Sequence, residues 1–152
     1  MPHQNGLSTE HTVDIVPILV VDDDDIDVLA IRRGLKKAGL SNPILRAHDG
    51  IEALDFLRGT GGKVKIGKPY MVLLDINMPK MNGHEVLKEI RRDTELKETI
   101  VFILSTSSDI EDTTAAYGLQ AAGYIVKSTI RDGYLRLGQL LSNYWKIVSL
   151  PI

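Results

Sequence analysis

Cysteine is absent from the 152 residues, which rules out disulfide staples, thiol nucleophiles and cysteine-ligated zinc together. An excess of charge of either sign is also missing. The net charge is −2, so nothing electrostatic calls for nucleic acid or an anionic membrane surface as partner. Long hydrophobic runs are missing as well: the longest span about five residues, against the roughly 20 that a spanning helix needs. Met1 to Asp14 is polar and has no apolar centre, so it reads as a flexible N-terminal tail instead of a signal peptide or anchor. A cytoplasmic location is the expectation. The four histidines, His3, His11, His48 and His84, fall in tails, loops or a helix start without metal-ligand spacing, and solvent exposure is expected for them. What remains is ordinary globular composition, 43% hydrophobic and 25% charged, in a length suited to one domain. Such a domain buries roughly two-thirds of its unfolded surface.

The patterning alternates strand and helix. Strands are expected at Ile18–Asp22, Pro43–Ala47, a run ending at Asp75, Ile100–Leu104 and Tyr124–Val126. Helices are expected from about Asp25 to Lys37, Ile51 to Arg58, Gly83 to Arg92, after Ser108, and from about Asp132 to Ile147. Gly39 and Gly59 read as helix stops, and Ser108-Asp109-Ile110-Glu111 has the spacing of a capping box. Five strands alternating with five helices imply a parallel sheet covered on both faces by right-handed crossovers. The segment from Gly59 to Pro69 is irregular. Gly62 and Gly67-Lys68 match the spacing of a phosphate loop, but Pro69 stands where a hydroxyl should ligate magnesium. The segment also precedes a strand instead of joining strand to helix, so a mobile, lysine-bearing surface loop is expected.

Asp75 is the informative residue. Tyr70-Met71-Val72-Leu73-Leu74 reads as a strand buried on both faces, and nothing local justifies a carboxylate at its end. In open α/β sheets that end opens into the ligand crevice. The run Asp22-Asp23-Asp24-Asp25 follows the first strand, and Lys127 follows the last. A solvated turn capping the first helix accounts for Asp24 and Asp25. Asp22 and Asp23 should adjoin Asp75, and three clustered carboxylates cannot all ionise cheaply without a cation. Magnesium suits an oxygen-only set better than zinc. Ser105 or Thr106, after the fourth strand, and Lys127 can reach the same phosphoryl oxygen.

These residues in this order resemble the receiver domain of two-component response regulators, over about residues 15–148. Asp22-Asp23 resembles the family's acidic pair, Leu74-Asp75-Ile76-Asn77-Met78-Pro79 its phospho-acceptor turn, and Met81-Asn82-Gly83 the start of its third helix. Lys127 resembles its phosphoryl-binding lysine and Tyr124 its aromatic switch residue. The intervals from Asp75 to the fourth strand's end and on to Lys127 favour Ser105 over Thr106 as switch hydroxyl. The resemblance implies a flavodoxin-like fold with strand order 2-1-3-4-5. It also implies magnesium held by Asp23, Asp75 and the Asn77 carbonyl, with Asp22 acting through metal-bound water. A sensor histidine kinase would then donate the phosphoryl group to a stand-alone receiver that catalyses only its own phosphorylation and dephosphorylation. Ser128 replaces the usual proline after the lysine, which leaves the isomer of the Lys127–Ser128 bond open.

The glycine-lysine insertion, Ser142-Asn143-Tyr144-Trp145 and the ending Val148-Ser149-Leu150-Pro151-Ile152 resemble the single-domain regulators that partner bacterial phytochromes. Residues 149–152 would form an apolar C-terminal extension. A homodimer is expected through the last helix, where Leu137, Leu141, Tyr144, Trp145 and Val148 recur at helical spacing. Two other classes share the fold. An aspartyl phosphohydrolase of small molecules would want an acid where Asn77 stands, and a flavin module would want a less acidic turn after the first strand.

Overall fold

The computed structural model describes residues 16–127 and 133–152. Five parallel strands, β1 Ile18–Val21, β2 Ile44–Ala47, β3 Met71–Leu74, β4 Ile100–Ser105 and β5 Gly123–Val126, pair in the order β2-β1-β3-β4-β5. Between and after them run α1 Asp25–Lys37, α2 Gly50–Arg58, α3 Gly83–Arg92, α4 Ile110–Gly118 and α5 Leu135–Ile147. The parallel sheet covered on both faces is the one the patterning predicted, and the flavodoxin-like strand order is the one the resemblance implied. The expected tail at residues 1–14, the Lys127–Ser128 bond and a helix start at Asp132 lie outside the described residues.

The continuous apolar runs are explained by two cores, one on each face of the sheet. Leu19, Val21, Val72, Leu74, Val101 and Ile103 point to the side covered by α2, α3 and α4. Ile18, Val20, Met71, Leu73, Phe102 and Leu104 point to the side covered by α1 and α5. Every second residue therefore serves the opposite core, and all four residues of β1 and β3 are buried.

Three local readings need correction. The box expected at Ser108 does not form. Asp109 is the N-cap of α4 and makes no side-chain cap bond, while the Ser107 hydroxyl accepts from the Asp109 N–H and donates to Asp112. The capping box in the structure belongs to α3, where Asn82 and Glu85 bond reciprocally. The loop from Gly59 to Pro69 is pinned to its surroundings. Lys63 pairs with Glu52 at 2.9 Å, Lys65 with Glu95 at 3.1 Å, and the Lys68 ammonium donates to the Glu95 carbonyl. Ile66 enters the core, which gives the loop an apolar anchor.

The third correction concerns α5. Leu141 and Trp145, chosen as interface residues, are buried with Leu137 in the core between α5, α1 and the sheet. Tyr144 is half-buried with its ring edge-on to Phe102 at 5.0 Å. Only Val148 of the expected interface set remains exposed, and the outward side of α5 carries Leu140 and Ile147 instead. Helical spacing identified the stripe, but α1 already covers it.

Candidate functional site

Parallel register sets the site. Val21 pairs with Leu74, so the residues that follow, Asp22 and Asp75, emerge side by side at the C-terminal edge of the two central strands. The Asp75 N–H donates to the Val21 carbonyl at 3.0 Å, which extends the ladder to the acceptor position. Gly83 allows the next turn to close beneath it, because a Cβ there would lie 2.4 Å from the Asp75 carbonyl oxygen. Carboxylate oxygens of Asp22, Asp23 and Asp75 all lie within 4.8 Å of one another. Asp22 and Asp75 are buried and Asp23 is exposed, so the group opens to solvent on one side.

Burial is the largest influence on the Asp75 carboxyl, and Asp22 and Asp23 push the same way. Lys127 and the Asn77 N–H oppose them only in part, leaving the group raised to about 6. Burial likewise raises Asp22, although it accepts the Asp24 N–H and faces Lys127. Such surplus negative charge in an all-oxygen set fits a small hard cation. Asp22, Asp23, Asp75 and the exposed Asn77 are the residues available to hold one.

Lys127 is the counter-charge. Its ammonium lies 3.1 Å from Asp22, 3.7 Å from Asp75, and closest to Asp27. Burial alone would lower the lysine, but Asp27, Asp22 and Asp75 hold it above its ordinary value. Asp27 is a site residue that the sequence reading missed, as is Tyr134, whose hydroxyl donates to Asp27 at 2.9 Å. Asp27 lies in the first turn of α1, directly after the acidic run, and that proximity was the one signal the sequence offered for it. Tyr134 carried no signal, because only the chain's return to α1 brings it there.

The switch candidates separate clearly. Ser105 is fully buried at the end of β4, with its hydroxyl accepting the Ser107 N–H, whereas Thr106 is exposed. Tyr124 is half-buried and donates its hydroxyl to the Ser107 carbonyl at 2.9 Å, bracing the β4–α4 turn from β5. His84 corrects the expectation of exposure. Its ring is largely enclosed and its Nε2 faces Asp112 at 3.3 Å, joining α3 to α4. His48 is exposed, as expected, beside Glu52.

Known proteins resemble this chain in sequence and fold. Residues 18–135 match the family model described as the response regulator receiver domain. Response regulator Rcp1 of Synechocystis sp. is 33% identical over 135 residues, covering 88% of this chain and 92% of that protein. The crystal structure of the Mn2+-bound form of Rcp1 superposes with a TM-score of 0.79 at 32% identity, over 90% of this chain and 99% of that one. The phosphorylated cyanobacterial phytochrome response regulator RcpA gives a TM-score of 0.81 at 32% identity, over 91% of this chain and 99% of that one. The resemblance read from the motifs, including the likeness to phytochrome response regulators, is borne out by these matches. With an acidic crevice, a lysine and a buried hydroxyl gathered at the strand ends, and this breadth of similarity, the chain belongs to the response regulator receiver family.

Proposed function

We propose that this receiver accepts a phosphoryl group on Asp75 from a phosphohistidine of a partner kinase, in cytoplasmic two-component signalling. The observation that carries the reading is Asp75 itself. It is a carboxylate at the end of a fully buried strand, grouped with two further acids, and the single lysine beside it is shared among three carboxylates and stands farthest from Asp75. A bacterial phytochrome is the kinase class favoured by the likeness to RcpA.

In the transfer, an Asp75 carboxylate oxygen attacks phosphorus in line, and the bond from phosphorus to the imidazole nitrogen breaks with its electron pair leaving on that nitrogen. Magnesium, which Asp23, Asp75 and the Asn77 carbonyl would hold directly and Asp22 through water, would supply the positive charge that offsets the gathering anions. Lys127 offers an ammonium to one transferred oxygen, and Ser105 a hydroxyl to another. When Ser105 turns to that oxygen it gives up the Ser107 N–H, and the turn braced by Tyr124 is released. The chain thereby promotes its own phosphorylation and carries the change to its surface.

The output surface we propose is a two-fold dimer through Leu140, Ile147 and Val148 on the outward side of α5. Incubation with acetyl phosphate and magnesium should add one phosphoryl mass to the intact chain. The addition should disappear in Asp75→Asn and on chelation, and equal labelling of Asp75→Asn refutes the assignment.

A further inference from the structure

Lys127 has three carboxylates to choose from, and the one expected to carry the phosphoryl group is the farthest. Asp75 stands 3.7 Å from the ammonium, Asp22 stands 3.1 Å away, and Asp27 is nearer still. Asp27 is set by the first turn of α1, and its second oxygen accepts the Tyr134 hydroxyl at 2.9 Å. That burial-tuned pair is built with some effort. Tyr134 is 8% exposed and sits in the left-handed region at φ 69, immediately before α5. It approaches α1 at Gly34, where a Cβ would lie 2.3 Å from the Gly133 carbonyl and 2.6 Å from the Tyr134 Cβ.

We propose that Asp27 is a positioning residue that parks Lys127 away from Asp75, that Tyr134 moderates its hold, and that the two together set how strongly the site holds a phosphoryl group. The proposal rests on Asp75 being the acceptor. A phosphoryl oxygen can engage Lys127 fully only when the ammonium leaves Asp27, so the ion pair opposes binding by competition. Tyr134 weakens that competitor, because a carboxylate already accepting a hydroxyl proton attracts a cation less.

The two substitutions therefore act in opposite directions. Titration of the full chain with beryllofluoride and magnesium, read by 19F NMR of the bound anion, should show about ten-fold tighter binding for Asp27→Asn. Tyr134→Phe, which changes no charge, should bind roughly two- to three-fold more weakly. In a Lys127→Ala background, Asp27→Asn should have no effect. Unchanged or weaker binding by Asp27→Asn overturns the proposal, as does an equal gain without Lys127, which would reduce Asp27 to a general contribution to the field. Unchanged binding by Tyr134→Phe removes Tyr134 from it. Phosphoryl uptake from acetyl phosphate, measured by intact mass, separates the two levels. Uptake on Asp75 with an unresponsive Asp27→Asn sinks the parking idea alone, whereas no uptake by the unsubstituted chain sinks the acceptor reading and the parking idea together.

Discussion

Replacing Asp75 by Asn should stabilise the fold in the absence of a divalent cation, and the gain should depend on pH in a defined direction. The carboxyl rises from 3.8 to about 6, chiefly through burial, with Asp22 and Asp23 adding to it. A shift of two units corresponds to about 3 kcal/mol at 1.36 kcal/mol per unit. The crevice is open on the Asp23 side, and solvent screening should reduce this to about 1.5 kcal/mol. Because the folded state binds the proton more tightly than the unfolded chain, ionisation costs stability as pH rises from about 4 to about 7. The penalty is absent below the unfolded value of 3.8 and fully present above 6. Asp75→Asn escapes it. Its thermal midpoint should therefore exceed that of the unsubstituted protein by roughly 3–6 °C at about pH 7.5 in EDTA, and match it at about pH 4. Magnesium should raise the unsubstituted midpoint and narrow the gap. Scanning calorimetry across that pH range decides the matter. An Asp75→Asn variant equal to or less stable than its parent at neutral pH would mean that Lys127 already balances the carboxylates, and that no uncompensated charge awaits a cation.

Four further outcomes follow from the packing and the ion pairs. Arg91 donates to the carbonyls of Lys97, Thr99, Leu119 and Gln120, so Arg91→Ala should cost about 2–3 kcal/mol in urea denaturation, and a change under about 0.5 kcal/mol refutes the role. Leu141→Ala should cost about 2–5 kcal/mol without altering oligomeric state, because Leu141 is core. Ile147→Glu should leave the midpoint within about 1 °C while weakening any dimer in light scattering, and an unaltered dimer would move the interface elsewhere. Lys127→Ala should lower the midpoint in EDTA by a few degrees, roughly 3 °C, with magnesium recovering part of it, since Asp22, Asp27 and Asp75 lose their shared counter-charge.

Much of the site was legible because a parallel sheet converts sequence order into position. A polar residue directly after each apolar run must reach the same edge, and Asp22, Asp75, Ser105 and Lys127 all obey that rule. The errors arose where a side chain's partner lies on another element. The helical stripe of Leu137, Leu141 and Trp145 is the same whether a second chain or α1 covers it. The serine before α4 is equally good cap chemistry until Asp112 engages Ser107.

The sequence by itself determined the alternation of elements, the two-sided burial of β1 and β3, and the residues at the strand ends, because these depend on local periodicity and chain direction. The tertiary structure alone decided which carboxylate holds Lys127, that Tyr134 supports Asp27, and which side of α5 faces solvent. Those contacts join residues about a hundred positions apart, such as Lys127 with Asp27 and Tyr134 with Asp27. No local pattern encodes them, since they exist only once α1 and α5 have packed on the same face of the sheet.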